Sequence, residues 1–248
     1  MSIITLLTDY GTADSYVAEV KAVLLSEVLG AVLVDVTHDI PPGNVRAAQY
    51  VLSRVWRRFP LGTVHLAVVD PGVGTLRRAL AGEVAGHQFV APDNGLLSAL
   101  PPQTRFVALP IPALASPTFH GRDVFAPIAA LLATGGSLES LGAPITDPVR
   151  APLPVPRVEP DRVAGEVIYV DHFGNLISNV AWTGAPNGRV AVGGADVGPL
   201  GRTFADVAPG ELVAYVGSAG TVEIALRDGS AARRLGVGVG AEVRVAVR

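Results

Sequence analysis

Three strand-like runs end on acids, and these are the residues whose types and spacing could do chemistry. "TDYGTAD" (8–14), "DVTHD" (35–39) and "VDPGVG" (69–74) each follow or close an apolar segment. If the three runs are neighbouring strands of a parallel sheet, their carboxyl ends share one rim, which is where open α/β sheets bind ligands. Asp9, Asp14, Asp39 and Asp70 would then gather at that rim. Beyond Asp70 a Gly-rich turn leads to Arg77 and Arg78, so a carboxylate and a guanidinium meet across the turn. Such a pair can hold a ligand at the sheet edge. It can equally be a surface salt bridge of little energetic weight, and Asp is common in strand-to-helix turns. Residue types alone leave both readings open.

Other motifs exclude more than they assign. There is no GxxxxGK[ST] loop, which argues against a P-loop nucleotide site. "GVGVG" (236–240) lies in a β-rich tail with no helix pattern after it and reads as a turn rather than a dinucleotide loop. "GSAG" (217–220) is not a G-x-S-x-G elbow. The five His show no HExxH or clustered metal spacing. His38 with Asp39 reads more readily as turn chemistry than as a metal site. No metal and no cofactor are expected.

The elements that must position these residues come in two styles. "IITLL" (3–7), "AVLVDV" (31–36) and "TVHLAVV" (63–69) read as strands. They alternate with "SYVAEVKAVLLSEVL" (15–29) and "NVRAAQYVLSRVWRRF" (44–59), whose apolar residues recur at helical spacing. Asn44 is placed to cap the second helix. "RFVALP" (105–110) adds a strand and "VFAPIAALLAT" (124–134) a helix. This β-α-β-α-β order predicts an N-terminal α/β domain over residues 1–146, with a largely parallel sheet flanked by helices. "DPVRAPLPVPRVEPDR" (147–162) is too rich in proline for helix or central strand and reads as a linker. From 163 to 248 short β-like runs alternate with Gly-rich turns, which predicts an antiparallel β-barrel or sandwich, for an α/β protein overall.

Composition sets the outer bounds. The chain has 248 residues, long enough for a large core, and a net charge of −3 that offers no footprint for nucleic acid or an anionic membrane. It has no Cys, so disulfides, thiolate catalysis and iron–sulfur clusters are excluded. "MSIITLLTDYG" lacks a basic leader and reads as a first strand, and no stretch is apolar enough to span a bilayer. A soluble cytoplasmic protein acting on a small molecule is the expectation.

Seven blocks carry a more specific signal: "TDYGTADSYVAEVKA", "DVTHDIPPGNVRAAQYVL", "VVDPGVGTLRR", "APDNGLLS", "FHGRDVFAPIAA", "DHFGNLISN" and "GSAGTVEIA", in that order. From Thr8 to about Ala225 the chain resembles the S-adenosylmethionine hydroxide adenosyltransferase (S-adenosylmethionine hydrolase) family, whose relatives include fluorinase and chlorinase. The resemblance implies an α/β domain followed by a β-barrel domain. It also implies hydrolysis of S-adenosylmethionine to adenosine and methionine by water attacking the 5′ carbon. The family's Asp, Arg and His set falls on Asp70, Arg77 and His120, and the halogenating relatives lack it. Substrate contacts carry over as Asp9 to the ribose hydroxyls and Asp14 near the methionine end. Asp171 corresponds to the ammonium partner, Asn175 to the adenine edge, Phe173 to packing on the purine, and Ser218 to the methionine carboxylate. Ala219 and Gly43 stand where fluorinase has Arg and Trp, so carboxylate and adenine contacts differ there. The resemblance further implies a homotrimer with sites between subunits. A halide-dependent adenosyl transferase and a non-catalytic adenosine-binding module are the alternatives.

Overall fold

The computed structural model describes residues 2–183 and 188–246. The chain forms two compact units, Met1–Pro152 and Leu153–Arg248.

In the first unit, β1 (Ile3–Thr8), α1 (Tyr16–Glu27), β2 (Val32–Thr37), α2 (Val45–Val55) and β3 (Val64–Val68) follow the alternation read from the sequence. Asn44 caps α2, its side chain accepting from Ala47 N at 3.0 Å. A hairpin follows, β4 (Ala79–Val84) and β5 (His87–Pro92), then β6 (Arg105–Leu109), a π-helical turn at Gly121–Phe125, α3 (Ala126–Ala133) and β7 (Ala143–Ile145). The sheet order is β2-β1-β3-β5-β4-β6-β7. Pairings from β2 to β5 are parallel, and those from β5 to β7 are antiparallel. The sheet is therefore mixed rather than largely parallel. The hairpin is the reason. "ALAGEV" has little of the β-branched character that marks a strand, yet tertiary pairing makes it one. Its two-residue turn, Ala85–Gly86, holds both residues at positive φ, the twist that tight hairpins favour.

Helices α1 and α3 cover one face of the sheet around Leu6, Leu24, Leu66 and Phe125. The opposite face carries His65 and His87, whose rings stack 5.3 Å apart near Trp56 and Phe89. Burial pushes the His65 pKa down to about 3 and that of His87 also down, so both are neutral core residues.

The second unit contains β8 (Arg157–Val158), β9 (Arg162–Val170), β10 (Leu176–Ala181), β11 (Arg189–Val192), β12 (Ala195–Gly201), β13 (Leu212–Val216), β14 (Thr221–Leu226), α4 (Ala231–Leu235) and β15 (Glu242–Ala246). The order β10-β14-β13-β12-β11-β15-β9 closes on itself because β9 also pairs with β10. β9 manages both partners by changing neighbour along its length: Arg162–Glu166 pair with β15 and Val167–Val170 with β10. All the barrel pairings are antiparallel except β12 with β13, which is parallel. Val167, Leu176, Val190 and Ile224 lie in its core. The Pro-rich stretch is docked at its start, where Asp147 accepts from Arg78 at 2.8 Å and Val149 N donates to Asp93 at 2.7 Å. Arg157–Val158 pair with β9.

Candidate active site

The connection from Val69 to Arg78 links β3 to β4, and β5 lies between those two strands. It therefore runs across the carboxyl rim of the sheet. The loop braces itself: Val73 N donates to Asp70 O at 3.2 Å, and Thr75 Oγ1 donates to Gly72 O at 2.7 Å while accepting from Arg77 N. Gly74, at φ +76°, passes so close to the 117 backbone that a Cβ there would stand 2.5 Å from Pro117 O. Only glycine satisfies both the left-handed φ and the approach.

This loop sets the charge pair. Arg77 Nε donates to both carboxylate oxygens of Asp70, at 2.9 and 3.0 Å, and Nη2 makes a shorter contact with Oδ2. Arg77 Nη2 also donates to Nδ1 of His120 at 2.8 Å. The two side chains of the pair are only 9% and 6% exposed, so this is a buried fork rather than a surface bridge. The Phe125 ring closes over the guanidinium at 5.2 Å. A guanidinium has no lone pair to offer, so His120 must accept at Nδ1 and carry its proton on Nε2. Burial first, and the Arg77 charge second, hold the His120 pKa below the usual imidazole range, consistent with that neutral tautomer.

Asp70 and His120 line a cavity of about 440 Å³ with Asp9 on its wall. Asp9 follows β1, and its Oδ2 accepts from Gly43 N at 2.8 Å. The loop after β1 is tied down by Gly11 N donating to His38 O at 2.8 Å and Tyr10 N to Thr8 Oγ1 at 3.3 Å. Tyr10, Tyr16 and Phe119 form an edge-to-face cluster on the wall, with ring centroids 5.4–6.2 Å apart. Arg122 stacks on Phe119 at 4.9 Å, donating to Glu19 at 2.8 Å and to Asp123 at 2.6 Å. These two partners raise the Arg122 pKa, and Arg122 holds that of Asp123 down. The "FHGRD" run thus supplies a wall as well as His120.

Not every acid read from the sequence joins this cavity. Asp9 and Asp70 do; Asp14 and Asp39 are exposed and stand outside its lining. Sequence reasoning passed over Tyr10, Phe119 and Arg122, although all three sit inside quoted blocks. Nothing in their types shows which way they face.

The other four residues lie on the barrel unit. Asp171 to Gly174 form the turn between β9 and β10, with Gly174 at φ +83°. The Asp171 carboxylate braces it, accepting from Phe173 N at 3.0 Å, Asn175 N at 2.8 Å and Asn175 Nδ2 at 2.8 Å. Phe173 is 72% exposed, whereas Asn175 is buried. Both line a cavity of about 730 Å³ with Phe204, Arg227 and Arg233. Ser218 is exposed in the β13–β14 turn.

Comparison with known proteins agrees with this architecture. Residues 4–142 match the SAM hydroxide adenosyltransferase N-terminal domain, and residues 165–244 match the corresponding C-terminal domain. The chain is 44% identical to the (R)-S-adenosyl-L-methionine hydrolase of Thermus thermophilus, over 96% of this chain and 97% of the relative. It is 42% identical to the protein of that name from Salinispora tropica, over 98% and 97%. A fluorinase from Actinopolyspora mzabensis is 30% identical over 98% and 96%. Among solved structures, an uncharacterized conserved protein from Thermotoga maritima superposes with a TM-score of 0.90 at 37% identity, covering 99% of this chain and 100% of that one. With both domain families matched and relatives covering nearly its full length, the chain belongs to the SAM hydroxide adenosyltransferase family.

Proposed function

We propose that this protein hydrolyses (R)-S-adenosyl-L-methionine to adenosine and L-methionine. The observation that carries the reading is the buried Asp70–Arg77–His120 arrangement, whose Asp70 and His120 line a cavity together with Asp9. A sulfonium is an excellent leaving group, so the reaction needs no acid at sulfur, and the demand falls on the nucleophile. In the proposed step the water oxygen forms a bond to C5′ as the C5′–S bond breaks. The bonding pair goes to sulfur, leaving the neutral thioether of methionine. The Nε2–H of neutral His120 offers a donor to the oxygen, and the Arg77 charge behind it favours that oxygen as it sheds a proton. Asp70 is the anion of the trio and takes that proton, which becomes strongly acidic as the O–C5′ bond forms. Asp9 is the acceptor for the ribose hydroxyls.

Asp14, Asp171, Phe173, Asn175 and Ser218 complete the proposed substrate contacts, with Asp171 on the ammonium and Asn175 on the adenine edge. In this reading no cofactor takes part, and the protein works in the cytoplasm as a homotrimer with sites between subunits. Support for assembly comes from apolar side chains held in water: Leu76, beside Arg77, and Leu114 are fully exposed, and Phe173 largely so.

The test is incubation with each sulfonium epimer in ¹⁸O-labelled water, followed by mass analysis of the nucleoside. Labelled adenosine from the (R) epimer is expected. Unlabelled adenosine, or a 5′-halo nucleoside as the main product in halide buffer, would overturn the proposal.

A further inference from the structure

Gly121 directly follows His120, and something else occupies the space of its missing side chain. A Cβ at 121 would stand 2.2 Å from the Tyr10 hydroxyl. The backbone there is helical, so conformation does not demand glycine; only the space does. Tyr10 is held for this position from three directions. Its backbone N–H donates to Thr8 Oγ1, and its ring packs edge-to-face on Tyr16 at 6.2 Å and on Phe119 at 5.9 Å. Its hydroxyl nevertheless makes no hydrogen bond to any described residue, although Tyr10 lines the cavity that holds Asp9, Asp70 and His120. A phenol so firmly placed on the cavity wall, among charged groups and unpaired among the described residues, is free to donate to a ligand there.

We propose that Tyr10 is a catalytic residue of this site, its phenol O–H donating to the oxygen that attacks C5′ and becomes the 5′-hydroxyl of adenosine. The inference rests on the hydrolase reading above and adds to the Asp70–Arg77–His120 set a neutral donor from a different strand end. Burial, reinforced by the negative charges of Asp9 and Asp70, pushes the Tyr10 pKa up, so the group keeps its proton at every working pH. It therefore serves as a fixed donor and not as a base. Between Asp9 and Asp70, a donor on the oxygen also fixes the approach of the nucleophile relative to the ribose.

The experiment compares wild type with Tyr10→Phe, which keeps the ring and removes only the hydroxyl. Melting temperature, kcat and KM for S-adenosylmethionine are measured, together with the dissociation constants of adenosine and 5′-deoxyadenosine. The two nucleosides differ by the oxygen in question. The expected result is an unchanged melting temperature, kcat lower by about 10- to 100-fold with KM little altered, and a wild-type preference for adenosine that shrinks about tenfold. A second variant, Gly121→Ala, places a methyl where the hydroxyl lies. It should lower the adenosine preference in the wild-type background and leave it unchanged in the Tyr10→Phe background. A purely structural Tyr10 would lower the melting temperature and leave the adenosine preference intact. If the wild type is active and Tyr10→Phe retains both its kcat and its adenosine preference, the Tyr10 assignment is overturned and the hydrolase reading survives. A wild type that turns over no S-adenosylmethionine overturns the hydrolase reading and this proposal with it.

Discussion

Arg77 contacts both of its partners through one planar group, and this geometry decides what a substitution does. The fork spans Asp70 and His120 at once, which an ammonium on a flexible stem cannot reproduce. Because the ion pair is buried, Arg77→Ala leaves a carboxylate without its cation and should destabilise the protein by about 3–5 kcal/mol. Arg77→Lys keeps the charge and should melt closer to wild type. Single-turnover rates should fall by about two to three decades for Ala and less for Lys. Wild-type rates in Arg77→Lys, with normal melting, would remove the fork from the mechanism. His120 adds a pH signature. The Arg77 N–H needs a lone pair on Nδ1, and protonation replaces it with a second donor beside a cation. The folded pKa lies below 6.5, so kcat/KM should be level near neutrality and fall only as pH drops through that lowered value. An acid limb with its midpoint above 6.5 would contradict the assignment. Stability contributed by the neutral imidazole is complete above 6.5 and is lost as pH falls through the same window.

At the scale of the element, the connection from β3 to β4 does the positioning. It carries Asp70 at its start and Arg77 near its end, and its internal bonds hold the two within reach. Gly74 is where this loop meets the 117 backbone. Gly74→Ala should therefore cost about 1–3 kcal/mol and slow turnover, since the loop must shift to relieve a 2.5 Å contact. Gly62→Ala is the control: it has the same kind of positive φ, +82°, with nothing within 4 Å of the added carbon. Melting temperatures and rates of both variants check this. Equal effects of the two would show that φ strain alone matters and that the loop contact does not position the pair.

At the scale of the whole molecule, each unit carries its own core and its own cavity. Asp9, Asp70, Arg77 and His120 belong to the first unit, and Asp171, Phe173, Asn175 and Ser218 to the second. The proposed assembly predicts a particle of three times the chain mass by sedimentation or light scattering at working concentration. Replacing the exposed Leu76 and Leu114 by Ser should reduce that mass without lowering the melting temperature of the isolated chain, because these side chains bury nothing within it. A wild-type monomer with full activity would refute the trimer.

The sequence by itself determined the alternation of β1, α1, β2, α2 and β3, the Asn44 cap, the change of style in the Pro-rich stretch and the β-rich second half. Each of these is written in local periodicity or in a single residue's own chemistry. The resemblance of its motifs to the hydroxide adenosyltransferase family, and not residue type alone, also pointed to Asp70, Arg77 and His120 together. What only the tertiary structure decided is how residues distant in the chain meet. The β4–β5 hairpin forms from a weak strand former because its neighbours pair with it on both sides, and so the sheet is mixed. Asp9 and Asp70 line the cavity while Asp14 and Asp39 stay in water, a separation set by loop paths and not by residue type. Arg77 reaches His120, 43 residues away, and takes its Nδ1 lone pair, which fixes the proton on Nε2. Tyr10 and Gly121 fit one another only because the end of β1 and the turn before α3 come together in space, and no local pattern records that contact.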